Sequence, residues 1–190
     1  MDTKRLTAIL LIAGAAILLV SGLFGPQGIY QEPDLQKRVQ IIEENKTGWY
    51  IAQSLLGLSA LLTAAGFFVL NIRLYKVANP WPHTLGASAF IFGAISGLIF
   101  LYRQTTDPLG AYGGAYSGLE SLYYWLALIG LLLFGIAFLQ AGLPAWLGYL
   151  TIGATVLFSI VFFLVSGARF LTPGLVFLLS LVIGIFFIRK

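Results

Sequence analysis

The chain reads as an all-α polytopic membrane protein with six transmembrane helices and a short amphipathic helix in its first outer loop. Three observations predict this. Its 190 residues are 59% hydrophobic and 9% charged, whereas a soluble domain carries about a quarter charged residues. The apolar residues gather in six runs, each near the roughly 20 residues needed to cross about 30 Å of hydrocarbon. The runs are continuous, without the two-residue alternation of a membrane barrel.

The spans fall at 6–23, 50–72, 84–102, 119–139, 145–165 and 171–188. They follow so closely that residues 1–190 form a single transmembrane domain with no room for a soluble one. Lys4 and Arg5 ahead of an apolar run resemble a signal peptide, but the run continues to Leu23 without an Ala-x-Ala site, which favours an uncleaved first helix. The connections 140–144 and 166–170 are long enough for helix-to-helix turns. Residues 33–46 form the amphipathic helix, because Leu35, Val39 and Ile42 recur at i, i+4 and i+7, with Asp34 in the first turn and Gly48 beyond the end. Its stripe suits the bilayer surface, the end of the bundle or a docked partner.

Orientation follows the basic residues, which are retained on the cytoplasmic side during insertion. Both ends are expected in the cytoplasm, with Lys4, Arg5, Arg73, Lys76, Arg189 and Lys190 inside, and Lys37, Arg38, Lys46, Arg103 and Arg169 outside. Of the acids only Asp2 is inside. Trp81 and Trp146 are placed as anchors at the inner interface, and Trp49, Tyr50, Tyr102, Tyr123, Tyr124 and Trp125 at the outer one.

Function is less legible. Cysteine is absent, which removes disulfides, thiolate ligands and thiol nucleophiles. A net charge of +4 is spread in pairs beside apolar segments, as topology signals are, so nucleic acid is not an expected partner. No acidic, basic or histidine side chain falls in the central turns of a span, an arrangement that disfavours ion-coupled transport and clustered metal ligands. No cofactor is expected. The lone His83 reads as a solvated interfacial residue, and the embedded Ser54, Ser59, Thr63, Ser88, Ser96, Thr155 and Ser159 as donors to carbonyls one turn back or on a neighbouring helix. Gly86, Gly93 and Gly97 share one face of the third span, as Gly148, Thr155 and Ser159 do of the fifth, for close helix packing. The segments 82–86 and 144–148 echo each other faintly, and proline in a helix's first turn accounts for both.

The best polar constellation is an outer-boundary site of Arg103, Asp107, Tyr112, Tyr116, Glu120 and Tyr124 around the glycine-rich connection 103–118. An Arg103–Glu120 pair is expected to fix that loop, or the same groups to line an outward pocket over which the loop closes. With Trp49 at the start of the second span and Leu143-Pro144-Ala145-Trp146-Leu147-Gly148 before the fifth, the chain resembles small, uncharacterised six-span membrane proteins of bacteria. That resemblance implies a bacterial inner membrane and carries no catalytic residue. The function expected is non-enzymatic: an accessory or scaffold subunit bound to other membrane subunits in the lipid bilayer. The alternatives are a small carrier or lipid-handling protein for uncharged or amphiphilic cargo, and an enzyme of the outer interface using Glu120, Asp107 or Arg103.

Overall fold

The structure is a computed structural model and describes residues 2–26, 28–29, 32–164 and 172–189. Local chemistry sets the helix ends. The Asp2 carboxylate accepts from the Lys4 amide and starts α1 (Thr3–Ser21). Asp34 does the same for the amides of Gln36 and Lys37 at the head of α2 (Leu35–Glu44). After a break at Asn45, α3 (Lys46–Leu74) runs 29 residues. Asn79 caps α4 (Pro80–Thr106), which has proline in its first turn, where no amide is needed. Asp107 caps the single turn α5 (Pro108–Tyr112), and α6 (Ser117–Gln140) follows. That helix ends on Gly142 at φ +65°, with the Leu143 amide bonded to the Phe138 carbonyl and the Gly142 amide to that of Leu139. This stop needs a residue tolerant of the left-handed region, and Pro144 then begins α7 (Ala145–Leu164). The last helix is α8 (Thr172–Arg189).

Six of these eight helices are long and apolar enough to cross a membrane. Arg169 and the expected turn 166–170 lie outside the described residues. The long helices α3 and α4 exceed the expected spans: at about 1.5 Å per residue, 29 residues reach ~44 Å.

Successive spans run antiparallel. Gly14 of α1 abuts Ser59 and Thr63 of α3, while Gly66 of α3 abuts Leu11. Gly86 of α4 meets Gly130 and Phe134 of α6, and Gly148 of α7 meets Leu139. The start of α1 and the end of α8 therefore lie on one face, here the terminal face; α2 and α5 lie on the opposite loop face. In cross-section the order is α7–α6–α4–α3–α1–α8, because α8 packs chiefly on α1 through Gly184 against Ala8 and Leu11. The ring closes where Trp146 meets Phe186.

Aromatic rings fill the terminal half of the bundle. Phe67 stacks on Phe90 with centroids 4.0 Å apart and tilts against Phe134 at 4.7 Å. The expected small-residue faces serve this internal packing, Gly86, Gly93 and Gly97 all lying against α6. Trp81 and Trp146 are about half exposed, as interfacial anchors are.

Candidate functional site

The six outer-boundary residues take part in three structural devices at the loop face. The first is a lock on the glycine-rich connection. Asp107 Oδ1 accepts from the Gly110 amide at 3.0 Å while its Oδ2 accepts from the Tyr116 hydroxyl at 2.9 Å. The Arg103 guanidinium lies 5.3 Å above the Tyr116 ring. The second is Glu120, which accepts from the Tyr124 hydroxyl one turn along α6 at 3.0 Å. Among the described residues no ion pair joins Arg103 to Glu120, contrary to the expected pairing: the Arg103 guanidinium lies over the Tyr116 ring, and Glu120 accepts from Tyr124. The third is a plug of Ile29, Ile42 and Trp49 with Tyr112 packed against it and Arg38 over the Tyr112 ring. The amphipathic helix thus packs on its own bundle through Ile42.

The Asp107 carboxyl is held below its ordinary range, first by the Gly110 amide and then by the Tyr116 hydroxyl. A depressed value makes the cap fully effective above about pH 4 and lost as acid carries the group through its folded value. Protection of the Gly110 amide, its exchange rate taken relative to that of an unstructured amide at the same pH, is therefore expected to fall on acidification below that pH. In Asp107→Ala, which removes the acceptor, that protection should already be lost at neutral pH and respond no further to acid.

The interfacial placements of Trp49, Tyr124 and His83 are overturned as well. Trp49 is no interfacial anchor: it is 1% exposed, and its indole N–H donates to the Gln104 carbonyl of α4 at 3.3 Å. Tyr124 is buried as well. His83 is not solvated but fully buried, with Nδ1 2.5 Å from the Asn71 side-chain oxygen, which also accepts from Thr84. An amide oxygen can only accept, so Nδ1 carries the proton; Nε2 is buried without a partner among the described residues. Removing the acceptor in Asn71→Leu leaves a buried N–H unpaired and is expected to cost about 2 kcal/mol. Unfolding in mixed micelles should show much of that loss recovered in the Asn71→Leu/His83→Leu double variant.

The hydroxyls behave as expected at Thr155 and Ser159, one turn back, and at Ser59 and Ser96, which donate across to the carbonyls of Gly14 and Leu119. Thr63 departs from this, since among the described residues its buried hydroxyl has no hydrogen-bond partner, and neither atom of the Gln53 amide has one. Thr63 faces a crevice between α3, α4, α6 and α8 whose cavity volume is about 10 Å³, room for a single water. Gln53 lies two turns nearer the loop face, on the helical stripe that passes through Ala60 in the crevice wall. A search for charge misses Gln53 and Asn71; an amide inside an apolar run is the signal that marks them.

An open cleft of about 650 Å³ lies between residues 24–26 and 43–48 at the junction of α2 and α3, with Glu43, Glu44 and Lys46 in its walls. Among the described residues no three His, Asp or Glu side chains gather as metal ligands.

Together these features define a six-span, all-α membrane bundle with a polar cap on one face. No protein-family model, curated protein or solved structure matches the chain.

Proposed function

We propose that the protein acts by binding, as a non-enzymatic accessory or scaffold subunit within a membrane assembly. The observation that carries this reading is the cap: α2 is pinned to the bundle by Ile42 and Trp49, and Gln36, Lys37, Glu43 and Glu44 stand exposed beside the open cleft. A rigid polar platform on an aromatic-filled bundle suits docking, since little order has to be gained on contact. The same reading places the protein in a bacterial inner membrane with both ends cytoplasmic. The basic residues of the terminal face support that orientation.

A photo-crosslinker at Gln40, which lies on α2, is the test. One stoichiometric membrane-protein adduct, lost in Glu43→Lys/Glu44→Lys, is expected. A monodisperse solitary protomer with no adduct overturns the reading.

The second reading, a carrier or lipid-handling protein for uncharged amphiphiles, draws on the unpartnered Thr63 and Gln53 in the loop-face half of the interior. Flux of such a cargo through sealed vesicles above the empty-vesicle rate, reduced by Thr63→Val, would favour it. Rates equal to empty vesicles remove it.

A further inference from the structure

The cations at the two ends of the chain come together only in three dimensions. At the terminal face the first turn of α1 lies between the last turns of α3 and α8: Leu11 of α1 fills the space beside Gly66 of α3, and Ala8 and Leu11 lie against Gly184 of α8. By this register the turn of α1 that carries Lys4 and Arg5 is level with Arg73 at the end of α3 and with Arg189 at the end of α8. The Arg73 guanidinium lies 5.5 Å above the Phe187 ring, so this side chain reaches from the end of α3 to that of α8.

This cluster has little internal compensation. Asp2 is the one Asp or Glu on the terminal face, and its carboxylate is engaged in capping α1. The other six acids, Glu32, Asp34, Glu43, Glu44, Asp107 and Glu120, all belong to the loop-face half of the chain. Lys4 continues the buried stripe of Ala8, Leu11 and Ala15, and both Lys4 and Arg73 are half-buried. Partly desolvated cations lacking a carboxylate call for an anion. The helix C-termini of α3 and α8 offset only part of their charge, about half an elementary charge each.

The surroundings select the anion. One turn deeper than Arg5 on the same helical stripe is the exposed Ile9, and one turn deeper than Arg189 is Ile185. Each cation thus stands at the head of an apolar strip on adjoining helices, at the level marked by Trp81 and Trp146. A ligand that matches has a phosphate at one end and an acyl chain at the other.

We propose that the terminal face binds an anionic phospholipid, its phosphate held by Lys4, Arg5, Arg73 and Arg189 and its acyl chain along Ile9 and Ile185 between α1 and α8. Native mass spectrometry of the full chain during detergent delipidation tests it, with phosphatidylglycerol and phosphatidylcholine in equal amounts. Phosphatidylglycerol should outlast phosphatidylcholine and raise the melting temperature. Its retention should fall roughly fivefold for each charge removed, in Lys4→Gln/Arg73→Gln and in the exposed pair Arg5→Gln/Arg189→Gln. The loop-face variant Lys37→Gln should retain lipid as the parent does. Equal retention of the two lipids, or full retention in the Arg5→Gln/Arg189→Gln variant, overturns the proposal. Equal stabilisation by inorganic phosphate alone also overturns it, since the acyl contact would then contribute nothing.

Discussion

Phe67→Ala is expected to lower stability by about 3 kcal/mol, the lower end of the cost of emptying a buried phenylalanine site. The ring is fully buried where α3, α4 and α6 meet, stacked on Phe90 and tilted against Phe134. In a membrane the side chain moves from protein to lipid and not to water. The hydrophobic transfer contribution is therefore small, and the loss is mainly of dispersion contacts. Unfolding in mixed micelles measures the change. Phe67→Leu keeps most of the volume and should cost less than about 1.5 kcal/mol. A loss below about 1 kcal/mol for the alanine variant would show that neighbouring rings collapse into the gap, and that the stacked geometry is not what holds the three helices.

Gly130→Leu is expected to be at least as damaging, at about 3 kcal/mol or more, and to reduce the yield of folded protein. The α4–α6 crossing is a backbone contact: a Cβ on Gly130 would lie 3.2 Å from the Gly86 carbonyl, and one on Gly86 would lie 3.2 Å from that of Gly130. The added carbon at Gly130 would also sit 2.8 Å from the Phe90 ring, which cannot yield without leaving Phe67. A leucine must therefore separate the helices and break the aromatic stack together. Gly153→Leu on α7 is the control, because an added Cβ there meets nothing within 4 Å. It should change stability by no more than about 0.5 kcal/mol. Equal effects at the two glycines would remove the close crossing as the explanation.

These two sites show how unevenly the structure was legible in the residues. The α4 side of the crossing could be read, since Gly86, Gly93 and Gly97 recur on one helical face. Their partner Gly130 could not, because glycine spacing states that a face is flat without stating what lies on it. The same holds for the loop-face polar residues. Their types announced hydrogen bonding, but tyrosine at position 116 could serve Asp107 or a ligand equally well until its hydroxyl was located 2.9 Å from that carboxylate. Trp49 and His83 were misread for a related reason. An amphipathic ring near a span's end suits the interface by composition, and only the neighbours decide whether it is buried there: Ile29, Ile42 and Gln104 for one, Asn71 for the other.

The amino-acid sequence by itself determined six spans, their alternation across the membrane, the gathering of both ends on one face, and turns such as the Gly142–Pro144 stop. Each follows from local chemistry, because a helix in lipid satisfies its own backbone and needs only an apolar run of sufficient length. Tertiary structure alone decided that α8 lies against α1, that Arg73 meets Phe187, that His83 is sealed beside Asn71, and that the cap is held by Trp49. Lipid tails are as apolar as leucine, so hydrophobicity cannot choose which helices become neighbours. That choice rests on shape, close backbone approach and a few hydrogen bonds, which exist only between segments already brought together.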